Sequence, residues 1–206
     1  MRVRARVITS QTMPAEIEQL RASLDTDNEL MRTAYEYGLV LALTRELTFD
    51  ESRTLIRQLR DKHPLNIPLM IAEAETYESA QQADQAIELL EQALDVNTYN
   101  YPLTVNLAKA FIADRKPHAA LDVLIPVSVK RPNDEYIWYL LAEAYGLASN
   151  VPGVHEARAE FFVLNGNFDQ AIKQLGYALP LVRHNFQRSA KIRHRLQEIW
   201  QLKDGS

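Results

Sequence analysis

No cysteine occurs among the 206 residues, so disulfides, thiolate nucleophiles and cysteine-ligated zinc are excluded together. The six glycines are scattered, and neither a glycine-rich phosphate loop nor a Gly-x-Ser-x-Gly nucleophile turn can be built from them. No segment reaches the roughly 18 uninterrupted apolar residues that a membrane span requires. The opening "MRVRARVITS" is positively charged but has no apolar run behind it, unlike a signal peptide. Such an abrupt charged start fits a domain cut from a longer chain. Also missing is any run of Lys and Arg interleaved with aromatics, and the formal charge is only -4, so nucleic acid is not an expected partner.

The histidines complete the list of absences. His63, His118, His155, His184 and His194 show no metal-ligand spacing. A His-Glu-x-x-His site sets two imidazoles one helical turn apart around a general base. Here His155 and Glu156 are followed by Ala-Arg-Ala, and the second ligand is missing. Acidic pairs such as Glu73 and Glu75 read as solvated helix faces. No catalytic group, metal or cofactor is expected in this chain, and stoichiometric zinc would be needed to revive an independent enzyme.

What the chain has instead is a period. In "YIWYLLAEAYGLASN", Trp138, Leu141, Ala142 and Tyr145 form one helical stripe. Stepping back by 34 residues meets Thr104, Leu107, Ala108 and Phe111, then Met70, Glu73, Ala74 and Tyr77, then Glu36, Leu39, Val40 and Leu43. The second half of each unit agrees, with Ser52, Ala86 and Ala120 in one column and Ile56, Leu90 and Leu124 in the next. Small residues let helix backbones approach while large ones fill the gaps between them. A single helix pair cannot cover its apolar face, whereas a stack can. Self-similarity at about 34 residues is the period of a two-helix solenoid repeat.

The strings "IWYLLAEAYG" and "NGNFDQAIKQLGYAL" resemble the tetratricopeptide repeat (TPR) family, from Thr33 to about Leu179. The resemblance implies an all-α fold, a right-handed α-solenoid of TPR helix pairs with a C-terminal capping helix, and the helix punctuation supports about eleven helices. Residues 1–32 are expected to be a linker and lead-in helix, 33–182 the array, and 183–206 a basic capping helix. Two departures stand out: the first unit has Ser52 for Ala, and the last good match falls half a period late. "VHEARAEFFVLNG" is therefore expected to serve as second helix of one repeat and first helix of the next. Asp50, Asn66, Asn100, Asn133, Asn167 and Asn185 are the expected N-caps. "RVRARV" is an ambiguous alternating segment. "NFQRSAKIRHRLQEIW" reads as a basic amphipathic helix with Phe186, Leu196, Ile199 and Trp200 on its apolar side, either an end cap or a partner or membrane helix.

In a TPR stack the first helices line a groove. Carried over by repeat position, its lining here is Tyr37 and Thr44, then Ile71, Glu75 and Glu78, then Val105, Lys109 and Ile112 with Asn106 beside them, then Tyr136, Tyr139 and Glu143. Two readings of the tyrosines stay open: contact area for a bound polypeptide, or packing against a terminal segment of the same chain. Charge is uneven: Ile67 to Gln170 carries 6 basic and 15 acidic residues, and the rest of the C-terminal side 7 and 2, so the tail is expected to fold onto the array or address another partner. The TPR subclass that clamps chaperone carboxylates uses Lys and Asn where this chain has Ile71 and Glu75, which leaves a co-chaperone adaptor as the weaker alternative.

A narrower resemblance rests on "RVRARV", "LAEAYG", "EARAEFFVLNGNFDQAIKQLGYAL" and "FQRSAKIRHRLQEI". These look like the C-terminal TPR domain of bacterial periplasmic His-Glu-x-x-His zinc metallopeptidases of the β-barrel assembly-enhancing type. That resemblance implies a periplasmic protein-binding module, with zinc only in a peptidase domain absent from this chain. Its implied partners are protein or peptide, including outer-membrane proteins and their assembly machinery, and the peptidase domain in cis. The rival expectation is a structural clamp whose groove is filled by its own termini or by that domain.

Overall fold

The computed structural model describes residues 2–9 and 12–205, and every element among them is helical. There are twelve α-helices: α1 (Arg2–Thr9), α2 (Met13–Ala22), α3 (Glu29–Arg45), α4 (Phe49–Lys62), α5 (Ile67–Ser79), α6 (Ala83–Val96), α7 (Tyr101–Ala113), α8 (Pro117–Lys130), α9 (Glu135–Leu147), α10 (Val151–Leu164), α11 (Phe168–Leu181) and α12 (Phe186–Asp204). The twelfth, beyond the eleven expected, is α1, formed by the segment whose pattern was ambiguous. Eight residues make a marginal helix in isolation. Val3 and Val7 stand four apart on one face and both pack into the core under α3, which supplies the missing stability.

The chain forms two compact units, Met1–Asn106 and Leu107–Ser206, with the boundary inside α7. In the first, α1 and α2 pack on α3, and α3 to α6 follow as antiparallel pairs. Its core has two clusters, one around Val7, Leu20, Leu39 and Leu43 and one around Val40, Ile56, Leu59 and Leu69. In the second, α8 packs on α9, α9 on α10, α10 on α11 and α11 on α12, with Ala159, Ala171, Leu175, Ile192 and Ile199 in the core.

The 34-residue period is kept to the residue in the backbone. Helices α4, α6, α8 and α10 begin at 49, 83, 117 and 151. Each is preceded by a left-handed residue, Leu47, Gln81, Arg115 and Ser149, again 34 apart. At every one the next N–H reaches back to close the preceding helix, as in Gln82 N to Tyr77 O at 2.9 Å and Asn150 N to Tyr145 O at 2.9 Å. This is the Schellman closure. It recurs once more, half a period on, at Gly166 with φ of 70° and Asn167 N to Phe162 O at 2.8 Å. The turn from α10 to α11 thus repeats the turn from α9 to α10, and α10 is the second helix of one pair and the first of the next.

Burial follows the columns. Ser52, Ala86, Ala120, Ile56, Leu90 and Leu124 are fully buried. Two further columns stay hidden from the sequence comparison: Leu69, Leu103 and Ile137, and Ala42, Thr76, Ala110 and Ala144. Of the expected caps, Asn66, Asn100, Asn167 and Asn185 accept from the N–H three residues on. Asp50 lies within the first turn of α4, where it pairs with Arg53 at 2.7 Å, and Asp134 caps α9 in place of Asn133. On α12 the buried stripe is Ser189, Ile192 and Ile199 with Leu196 beside it, while Phe186 and Trp200 point outward. The i, i+7 spacing from 192 sets that stripe, and 186 and 200 fall off it. The basic tail does fold back: Arg188 meets Glu156 at 2.6 Å, Arg195 meets Glu160 at 2.6 Å, and Lys203 meets Asp169 at 2.6 Å.

Candidate peptide-binding surface

In the first unit, the expected lining is met by the chain's own N-terminal helix. Arg4 donates to the Tyr37 hydroxyl at 2.7 Å and to the Glu75 carboxylate at 2.8 Å, joining α1 to α3 and α5. Burial disfavours the Arg4 cation, but Glu75 and Tyr37 outweigh it and hold its pKa above the usual value. Farther along, Arg45 donates to the carbonyls of Val7 and Ile8, satisfying groups that the end of α1 leaves without helical partners. Gly38 lies directly under Val3: a Cβ there would overlap the valine side chain. Ile71 and Val105 are buried, Glu78 is half-buried, and Asn106 donates to the Pro102 carbonyl of its own helix at 2.8 Å. Thr44 is buried too, in a hydroxyl cluster with Ser52 and Thr76.

The second unit is open where the first is covered. Tyr136 and Tyr139 are 42% and 45% exposed, and their rings stack 8° from parallel with centroids 6.0 Å apart, an exposed aromatic surface built on one helix. The capping of α9 by Asp134, which accepts from Tyr136 N at 3.2 Å, fixes where that surface starts. Phe161 of α10 abuts Tyr139 at 6.5 Å and Phe162 at 5.8 Å, extending the aromatic group onto a second helix. The Tyr139 hydroxyl donates to Glu143 at 3.0 Å, a bond that pushes the phenol pKa up. Lys109 and Ile112, on the part of α7 in this unit, are half-buried. Phe161 was not among the expected groove residues, because by the 34-residue register it lies on a second helix. The half-period match in "EARAEFFVLNG" is the signal that could have found it.

Of the concavities away from these residues, two hold ion pairs. One of about 310 Å³ in the second unit is lined by Trp138, Tyr145, Glu156, Glu160, Arg188 and Arg195, whose opposite charges pair with one another. The other, about 440 Å³ in the first unit, is lined in part by Arg60, Glu73 and Tyr77. There burial raises the Glu73 carboxyl pKa against the pull of Arg60 at 2.9 Å. Among the described residues no group of three or more acidic or histidine side chains gathers as a metal site, and no helix is long and apolar enough to cross a membrane.

Residues 77–144 match the family description "Tetratricopeptide repeat". Over 177 residues, 86% of its length, the chain is 29% identical to the β-barrel assembly-enhancing protease of Escherichia coli strain K12. It spans only 36% of that relative. Among solved structures it resembles a tetratricopeptide repeat protein from Parabacteroides merdae, with a TM-score of 0.57 at 13% identity over 91% of this chain and 86% of that one. MamA 41-end from Desulfovibrio magneticus RS-1 gives 0.57 at 14% identity over 84% and 97%. At such identities the structural likeness is one of fold.

Proposed function

Because the chain is a tetratricopeptide-repeat protein-interaction module, distantly homologous over most of its length to the β-barrel assembly-enhancing protease, we propose that it recruits polypeptide to a metallopeptidase. In this reading the ligand is unfolded or partly assembled outer-membrane polypeptide. The module works in the periplasm and docks or regulates a zinc peptidase domain in cis. The observation that carries the proposal is the exposed Tyr136 and Tyr139 pair, continued by Phe161. Large rigid rings that the core does not use supply contact area at low conformational cost, and their hydroxyls add hydrogen bonds to a bound backbone. The test is fluorescence anisotropy of labelled extended peptides taken from outer-membrane barrel strands, titrated with the chain and with its Tyr139→Ala variant. Saturable binding that the variant weakens about tenfold is expected; no binding to the folded chain would overturn the reading.

A second reading, a clamp closed by the chain's own terminus, is favoured within the first unit by the seating of Arg4 on Tyr37 and Glu75. The two readings apply to different parts of the chain. Recruitment is assigned to the second unit, and residues 1–32 are assigned to covering the first helices of the array. The β-barrel substrate class rests on the relative's name and on the resemblance of sequence alone.

A further inference from the structure

The repeat places the same two side-chain types at the same register in both units. Tyr139 stands three periods after Tyr37, and Glu143 two periods after Glu75. In the first unit this tyrosine and this carboxylate are brought together by one guanidinium, that of Arg4, presented by the short basic helix α1. In the second unit they meet each other instead, with the Tyr139 hydroxyl donating to Glu143 at 3.0 Å. That bond uses one lone pair of the carboxylate. Glu143 is exposed and has no ion pair among the described residues, and Lys109, which is half-buried, does not neutralise it. The Tyr139 ring that carries this hydroxyl is stacked on the ring of Tyr136, and both are about two-fifths exposed.

We propose that Tyr139 and Glu143, with the ring of Tyr136, form a subsite for an arginine side chain carried on a short basic segment of the partner polypeptide. A guanidinium suits both components. Its planar fork donates to the free carboxylate positions, and its face stacks on a phenol ring, which is attracted to cations through its quadrupole. An ammonium offers the charge without the fork or the flat face. Arg4 is the chain's own example of such an occupant: an arginine from a basic helix, held by a tyrosine hydroxyl and a glutamate. The inference rests on the recruitment reading above, and it adds that a positively charged segment, with arginine in preference to lysine, is what the open unit selects.

The probe is a labelled peptide of the sequence RVRARVIT, compared with versions carrying lysine or alanine at all three arginines, titrated by anisotropy against the full chain. Saturable binding is expected, falling severalfold for the lysine version and further for the alanine version. Glu143→Gln should weaken the arginine peptide about threefold, the scale of an exposed ion pair, and Tyr139→Ala by more; both residues are exposed, so neither change threatens the fold. Equal affinity for all three peptides, or arginine-peptide binding untouched by Glu143→Gln, overturns the subsite. So does binding that is lost in Glu75→Gln yet kept in Glu143→Gln, which would mean exchange with α1 in the first unit. Binding of barrel-strand peptides without binding of the arginine peptide overturns the subsite and leaves recruitment standing. Failure of both peptide classes overturns both.

Discussion

The Thr44 and Ser52 hydroxyls lie 2.7 Å apart inside the first helix pair, where the next two repeats have Ala86 and Ala120 in the serine's place. Thr76 joins them at 2.9 Å from Thr44, tying α3, α4 and α5 together. Ser52 donates to the Val40 carbonyl and Thr76 to the Ala72 carbonyl, so the third proton, that of Thr44, has two hydroxyl acceptors to choose from. The serine that makes the first unit a poor repeat is therefore part of a satisfied polar group.

That arrangement predicts non-additive mutants. Thr44→Val removes the central hydroxyl and should cost about 1 to 2 kcal/mol, because a buried hydrogen-bonding group loses a partner. The triple variant Thr44→Val, Ser52→Ala, Thr76→Val replaces all partners with carbon and should cost less than the sum of its singles. Urea unfolding of the wild type, the three single variants and the triple checks this, and strict additivity would contradict it.

The left-handed turn residues predict changes of opposite sign. Gln81 holds a φ of 60° with a side chain that gains nothing visible from it, so Gln81→Gly should stabilise by up to about 1 kcal/mol. Gly166 sits at φ of 70° with open space around a would-be Cβ, so Gly166→Ala should destabilise by about 1 kcal/mol through backbone strain alone. Thermal unfolding of both variants is the measurement; a stabilised Gly166→Ala would refute the account.

The N-terminal helix is predicted to detach without loss of the array. Gly38→Ala pushes on Val3, and Arg4→Ala removes the link to Tyr37 and Glu75. In either variant, amide exchange over residues 2–9 should speed up by an order of magnitude or more, while α9 to α12 keep their protection. Unchanged exchange would mean that α1 is held by Val7 and Arg45 alone.

Glu73 gives a pH dependence. Its folded pKa is raised, chiefly by burial, so between the ordinary carboxylate value and that raised value the folded chain holds a proton that the unfolded chain has released. Folding stability from this group therefore grows as pH falls through that window. Relative to Glu73→Gln, the wild-type protein should gain stability as pH is lowered from neutrality towards the ordinary carboxylate value, as read by urea unfolding at each pH. A difference that is flat with pH would place the carboxyl in an unperturbed site.

Much of this was legible in the residues. The period, the small and large columns, the doubled role of α10 and the basic tail returning to acidic helices are all local or repeated patterns, and repetition averages out the noise of single positions. The candidate surface was legible only as register. Position five of a repeat is occupied by Tyr37, Ile71, Val105 and Tyr139 alike, yet the first is bonded to Arg4, the next two are buried and the last is open. Register states which way a side chain leaves its helix, and says nothing of what is waiting there.

By itself, then, the sequence determined that the chain is built of helix pairs at a 34-residue step, because periodic burial of apolar faces admits little else. Tertiary structure decided which tyrosines are occupied. A short basic segment with two valines is too weak to declare itself a helix, and only its contacts with Gly38, Tyr37, Glu75 and Arg45 make it one and cover the first unit. In the second unit the rings of Tyr136 and Tyr139 meet, among the rings of the described residues, only each other and Phe161, and they stay 42% and 45% exposed.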